Sequence, residues 1–337
     1  MILVTGGTGL VGSHLLYELT SSGFNVKALK RSSSCLDNIK NTFKIYTSEY
    51  HQLFKNIEWI DGDMSDRASI NNACEGIDTI YHCAAMVSFN PEDKDLMHKI
   101  NIQGTSNIVD LCIKRDIRLC YVSSVASLGN YVNKPIDESS RFNPDTPHSQ
   151  YSYSKFNSEE IVWKGVDKGL NVVIVNPSII LGFGHWHAGS SKLISTVAKG
   201  LSFYTNGKTG YVDVRDLCRA MHLLTETNIK SEKFILNGGN FTYRELFTFI
   251  AKALDLEPPK YYASPLLTGL GWRFAKLKSI LTGKKASLTK ETARSSHNIS
   301  GFNGDKIQNF LPDFSYTPFY ETITDICEAY KLQQFND

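Results

Sequence analysis

The sequence predicts an α/β protein: a doubly wound parallel sheet with a smaller, mostly helical C-terminal lobe. Three observations carry that prediction. Short apolar runs alternate with longer amphipathic stretches through the first half of the 337 residues. The first run leads straight into a glycine-rich turn, Thr5-Gly6-Gly7-Thr8-Gly9-Leu10-Val11-Gly12. After Asn176 the pattern gives way to Gly, Ser and aromatic residues and then to irregular helical stretches. Strands apolar along their whole length, separated by helices, suit a parallel sheet covered on both faces.

In order, strands are expected at residues 2–5, 25–29, 57–60, 79–82, 118–122 and 171–175. Helices are expected at 10–21, 65–73, 93–115 and 152–168. Beyond them come a helix at 214–226, a strand at 233–237 and a helix at 240–256, with Pro258-Pro259 marking a break. Residues 1–176, with returning segments near 211–240, form the expected sheet domain. Residues 177–210 and 241–337 form the expected lobe over its carboxyl edge.

Composition narrows the class. Thirty-six basic against thirty-four acidic residues leave a net charge of +2, with no electrostatic footprint for nucleic acid. Seven cysteines, an odd number without a C-x-x-C pair, read as small buried residues in a reducing compartment. Residues 2–5 already form a strand, so no leader is expected. No run of 18 apolar residues occurs, so no spanning segment is expected, and a cytoplasmic protein is the default.

The turn at 5–12 follows a strand and opens a helix. Glycine there permits φ > 0, lets the backbone approach a pyrophosphate closely, and leaves helix and strand in contact. The helix N-terminus offers free N–H groups to phosphate. This is the Rossmann arrangement, and Thr5, Gly6, Thr8, Gly9, Leu10, Val11 and Gly12 are its expected nicotinamide-dinucleotide contacts. At the end of the second strand stands Leu29-Lys30-Arg31-Ser32 in place of a carboxylate. Arg31 can clamp a ribose 2′-phosphate through its planar fork, which favours NADP(H) over NAD(H). Asp63, with Met64 after it, is placed either to meet the adenine or to shape a turn. Ala84 and Ala85 follow the fourth strand and complete the expected cofactor lining.

Tyr151-Ser152-Tyr153-Ser154-Lys155 puts Tyr151 and Lys155 four apart, on one helix face. A phenol titrates near pH ~10, and a nearby ammonium favours its ionised form. Tyr153 is two residues from Lys155 and faces elsewhere. The fifth strand ends in Ser123-Ser124, where a hydroxyl can donate to a carbonyl oxygen as charge develops on it.

The turn, Ser124, and Tyr151 with Lys155 resemble the extended short-chain dehydrogenase/reductase family over nearly the whole chain. Asn101-Ile102-Gln103-Gly104-Thr105 is similar to its N-V-x-G-T segment, and Gly210-Tyr211-Val212-Asp213-Val214-Arg215-Asp216 to a C-terminal signature. The resemblance implies that Tyr151 is the general acid or base and that Lys155 lowers its pKa and binds ribose. It also implies that Ser124 polarises the carbonyl, that Asn101 orders a relay water, and that Pro177 and Ile180 line the nicotinamide. Helices 93–115 and 152–168 commonly pair such proteins into homodimers.

Departures select a branch. Dehydratases carry an acid pair after the catalytic hydroxyl; here Val125-Ala126 follows Ser124. Ile179 and Thr209 replace the Asn and Arg by which epimerases hold a sugar nucleotide. Val26-Lys27-Ala28-Leu29-Lys30-Arg31 and Pro177-Ser178 are similar to the dihydroflavonol 4-reductase and 3β-hydroxysteroid dehydrogenase branch, although Phe183 stands where that branch has proline. The expected activity is NADP(H)-dependent reduction of a ketone or aldehyde. A sugar-nucleotide epimerase and a dinucleotide-sensing protein without turnover are the alternatives. Ser88, Phe89, Ser124, His185, Trp186 and His187 are the expected substrate contacts, in an aromatic pocket suited to a hydrophobic carbonyl compound. His185 and His187 lack a third ligand, so no metal is expected. The apolar stretch 266–281, interspersed with Arg273, Lys276 and Lys278, reads as a lid or as a membrane-surface helix.

Overall fold

A computed structural model describes residues 1–129, 134–186, 188–283, 286 and 288–334. In chain order its strands are β1 (Ile2–Thr5), β2 (Val26–Lys30), β3 (Ile57–Asp61), β4 (Thr79–His82), β5 (Arg118–Val122), β6 (Val172–Pro177), β7 (Ile179–Leu181), β8 (Phe203–Tyr204), β9 (Lys208–Asp213), β10 (Glu232–Leu236), β11 (Gly239–Thr242) and β12 (Tyr261–Tyr262). Seven form one parallel sheet in the order β10-β6-β5-β4-β1-β2-β3. The chain winds outward from β1 to β3, then crosses to β4 on the other side of β1. That reversal opens a crevice at the carboxyl ends of β1 and β4.

Both sheet faces are buried, which is why the strands read as continuous apolar runs. Val4, Tyr81, Cys120, Val173 and Val175 pack with Leu15, Leu16 and Leu19 of helix Leu10–Ser21 and with Leu217 and Met221 of helix Val214–Glu226. Leu3, Ile80, Leu119, Val172 and Ile174 pack against Ile108 and Val109 of helix Gly104–Arg115 and Val162 of helix Gln150–Val166. Truncating one such leucine to alanine costs ~2–5 kcal/mol.

The six expected strands of the first half lie where the apolar runs put them, shifted by a residue at most at their starts. The helix expected at 93–115 is broken differently. A 3₁₀ turn and a short α segment lead into a π-helical stretch, His98–Gln103, before helix Gly104–Arg115. The helix expected from 240 starts at Tyr243, because Asn240 and Phe241 pair with β9 and Thr242 closes a capping box with Glu245. Two helices, Asp37–Tyr46 and Tyr50–Lys55, occupy a stretch for which the sequence suggested none. Beyond β6, β11, β9 and β7 form a separate three-stranded sheet, and β12 pairs with β8. All seven cysteines are free and five are buried. Among the described residues, no helix is long and apolar enough to cross a membrane.

Candidate active site

The glycine turn is built for close approach. Gly6 has φ +70, and a Cβ there would lie 2.7 Å from the Ala84 backbone. A Cβ at Gly12 would lie 2.1 Å from the Gly6 carbonyl oxygen. The N-cap, Gly9, provides no side-chain cap, and the helix carries no acid in its first turn. Its opening N–H groups are therefore left to an anion. This cradle fits a pyrophosphate. Thr5 stands behind it: its Oγ1 bonds His82 Nδ1 at 2.7 Å, and His82 Nε2 meets Thr105 Oγ1 at 3.2 Å. Burial, with Lys155 adding, pushes the His82 pKa down to about 3, so the imidazole is neutral.

At the end of β2, Lys30 is committed to an ion pair with Asp61. Arg31 is exposed and lies close enough to Asp63 to help hold its carboxyl below the usual range, behind the larger effect of the Ser65 hydrogen bonds. Asp63 Oδ1 accepts from Ser65 N at 2.8 Å and Ser65 Oγ at 2.6 Å. Through Oδ1, Asp63 closes the turn that follows β3. Met64 is buried beneath Gly104.

The catalytic candidates come from β5 and the helix beside it. Ser149 caps that helix, its hydroxyl accepting from Ser152 N at 2.9 Å. Tyr151, Lys155 and Glu159 follow at four-residue intervals and share the face turned to the sheet. Burial raises the Tyr151 pKa, and a hydrogen bond from Ser124 opposes it. Ser124 ends β5 as the cap of the turn Val125–Ser127. Lys155 Nζ donates to Val122 O at 2.8 Å and to Tyr121 Oη at 3.4 Å. Burial pushes the Lys155 pKa down to about 8, with the Glu159 carboxylate resisting. Ser124 is thus the side chain that opposes burial at the Tyr151 phenol. Tyr153 points away, its hydroxyl 3.3 Å from Pro144 O.

Asn101 lies in the π-helical stretch. Its Oδ1 accepts from Met86 N at 2.7 Å, and its Nδ2 donates to Met86 O and Ser154 Oγ, both at 3.0 Å. Its backbone carbonyl accepts from Ser158 Oγ at 2.9 Å. The recorded bonds of Asn101 thus tie the loop after β4 to the helix bearing Tyr151.

Of the expected substrate contacts, Phe89 meets the site: its ring stands edge-on to Tyr151, centroids 6.1 Å apart. Ser88 does not reach in, because its hydroxyl donates to Asp93 Oδ2 at 2.7 Å and accepts from Asn90 N. Trp186 lies in the core of the C-terminal part. It is 4 % exposed, packs edge-on against Tyr330, and donates to Gln333 Oε1 at 2.6 Å. It anchors helix Phe319–Gln334, because a large ring buries more area between helices than in a solvated mouth. His185 lies beside His14, whose pKa it helps burial to lower. Phe183 packs on the same His14, ring centroids 4.6 Å apart. His187 lies outside the described residues. Pro177 is buried at the end of β6, and Ile180 lies in β7.

One functional element escaped the sequence. Glu159 is buried and accepts from Ser123 Oγ at 2.5 Å, Ser127 Oγ at 2.7 Å and Asn176 Nδ2 at 2.8 Å, with Lys233 Nζ at 3.6 Å. Burial works to raise its pKa, but Lys233 and those donors leave it below the usual range. Asn176 also donates to Ser124 O at 3.2 Å, so the carboxylate fixes the segment that presents Ser124. The i, i+4, i+8 spacing of Tyr151, Lys155 and Glu159 was the available signal.

Comparison with known proteins gives the family. The chain is 29 % identical over 268 residues to a Synechocystis protein named "Putative dihydroflavonol 4-reductase", covering 76 % of this chain and 73 % of that one. It is 27 % identical over 262 residues to tetraketide alpha-pyrone reductase 2 of Arabidopsis thaliana, covering 72 % and 79 %. The crystal structure of gox2253 superposes with a TM-score of 0.81 at 25 % identity, covering 99 % of this chain and 98 % of that one. The NAD dependent epimerase/dehydratase family matches residues 2–237, the span that holds the glycine turn, Ser124, Tyr151 and Lys155. The chain belongs to that family, as an NAD(P)-dependent oxidoreductase of its dihydroflavonol 4-reductase-like branch.

Proposed function

We propose that this enzyme reduces a hydrophobic ketone or aldehyde with NADP(H). The observation that carries the reading is the convergence of Ser124, Tyr151 and Lys155 at the carboxyl edge of the sheet, beside an uncapped glycine turn. When bound, the nicotinamide supplies the hydride. Ser124 Oγ–H donates to the carbonyl oxygen, which lowers the cost of the negative charge forming there. Tyr151 Oη delivers the proton to that oxygen. Two of the three Lys155 ammonium hydrogens are held by Val122 O and Tyr121 Oη, and the third is left for a ribose hydroxyl. Arg31, its neighbour Lys30 already neutralised by Asp61, is the cation we assign to the 2′-phosphate. Residues 1–176 and the return near 211–240 hold the cofactor, while 177–210 and 241–337 close over the substrate.

The same surroundings argue against sugar-nucleotide chemistry. Ile179 is packed among apolar residues of the C-terminal part, where it offers no polar group to a sugar nucleotide. Val125 and Ala126 offer no acid for water elimination.

Oxidation of NADPH with a panel of hydrophobic ketones and aldehydes tests the reading. Turnover with at least one of them is expected, and Tyr151→Phe should lower kcat by ~100-fold or more. Undiminished turnover in that variant would overturn the role of Tyr151.

A further inference from the structure

We infer that the helix Pro265–Thr282 docks this enzyme on an anionic membrane surface. The helix is inverted relative to an ordinary surface helix. Its half-buried side is Thr268, Gly271, Trp272, Ala275 and Ser279, which lie toward the protein. Its outward side is Leu266, Leu270, Phe274, Leu277, Ile280 and Leu281, and no residue of the helix is buried. Leu266 and Leu281 are each 77 % exposed and Phe274 is 70 % exposed. A water-facing helix normally presents the reverse pattern, and a contiguous apolar face of this kind marks an interaction site.

Charge identifies the occupant. Lys276 and Lys278 flank the apolar stripe on the helical wheel, Arg273 stands within it with its guanidinium bonded to Gly269 O and stacked over Trp272, and the helix carries no acid. From residue 258 to residue 290 the chain has seven basic residues and no acidic one; against a whole-chain net charge of +2, that leaves the rest of the chain at −5. Two copies of this face would bring like charges together, which disfavours self-association. A lipid surface of opposite sign accepts both features: the apolar side chains enter the acyl boundary while the long basic side chains reach the headgroups. Tyr261 and Tyr262, 61 % and 45 % exposed, precede the helix and add the amphipathic rings favoured at such boundaries.

The helix is also linked to the catalytic side of the molecule. It packs on helix Lys290–Ser295, and Thr268 Oγ1 meets His297 Nε2 at 2.9 Å. Glu291 of that short helix accepts from the backbone of Gln150, which opens the helix bearing Tyr151. If the carbonyl-reductase reading of the site holds, a docked enzyme meets a substrate dissolved in lipid.

Flotation of the full chain with vesicles is the test, and it needs no turnover. Binding is expected to vesicles of equimolar phosphatidylcholine and phosphatidylglycerol, to fall as salt rises, and to be weak with phosphatidylcholine alone. Replacing Lys276 and Lys278 by Gln should weaken binding by about 30-fold. Phe274→Ser with Leu277→Ser should abolish it while leaving the Tm unchanged, because both side chains are exposed. The inference is overturned if neither vesicle binds, or if the serine variant binds like the parent. It is also overturned if vesicle-free protein dimerises and the serine variant makes it monomeric, which would assign the face to a second copy.

Discussion

The carboxyl edge of the main sheet and the segment beyond β6 handle polar and apolar groups in opposite ways. At the sheet edge, buried polar side chains are knitted together: Glu159 takes donors from Ser123, Ser127, Asn176 and Trp163, Asn101 ties a loop to a helix, and Lys155 bonds a backbone carbonyl. Such a network holds reacting groups within a narrow geometry. In the later segment, large aromatic groups serve packing. Trp186 joins the core beneath helix Phe319–Gln334, while the helix Pro265–Thr282 leaves its apolar face outside. On the proposed reading, chemistry resides on that edge and the later segment determines what reaches it.

Three substitutions sharpen or break that contrast. The largest effect is expected for Trp186→Ala. It should cost ~3–5 kcal/mol in stability through the cavity it leaves, with KM for substrate unchanged. Chemical unfolding checks the first part and steady-state kinetics the second. A raised KM without loss of stability would return Trp186 to the substrate pocket. Next is Arg31→Ala, which removes a charge-assisted contact worth ~1.5–3 kcal/mol. NADPH affinity should fall by at least about tenfold while NADH affinity stays level, as read by fluorescence titration. Equal losses for both cofactors would remove the 2′-phosphate from the account.

The smallest effect is expected for Glu159→Gln. Its carboxylate resists the burial that pushes the Lys155 pKa down to about 8. Removing that negative charge should lower the Lys155 pKa further, so the ammonium is lost at a lower pH. The alkaline limb of the kcat/KM profile should move down by about one unit, equivalent to ~1.4 kcal/mol. A limb that stays in place while activity falls would make Glu159 a packing residue only.

Much of the sheet was legible because its strands are buried on both faces and so carry unbroken apolar runs. The glycine turn was legible because Gly6 and Gly12 each stand where a Cβ would collide with backbone. Tyr151 and Lys155 were legible from a four-residue spacing. The remainder was hidden for physical reasons. Helix Tyr50–Lys55, six residues long with none buried, is too short to show a periodicity, whereas helix Asp37–Tyr46 does carry one, with Ile39, Thr42, Phe43 and Tyr46 on one face. Asn240 and Phe241 read as helix until β9 supplies a strand partner. Whether an aromatic such as Trp186 lines a mouth or fills a core depends on residues 147 positions away, a distance no local pattern spans. Ser88 looked available for substrate, but its hydroxyl is held by Asp93, only five residues on.

The central claim is that hydride leaves the cofactor for good. Deuterium carried at C4 of NADPH follows it directly. The account predicts that the label appears on the carbinol carbon of a hydrophobic ketone's reduction product, and that Tyr151→Phe suppresses its appearance. An epimerised sugar nucleotide, with the cofactor returned to its starting oxidation state and no label in any reduced ketone, would contradict it.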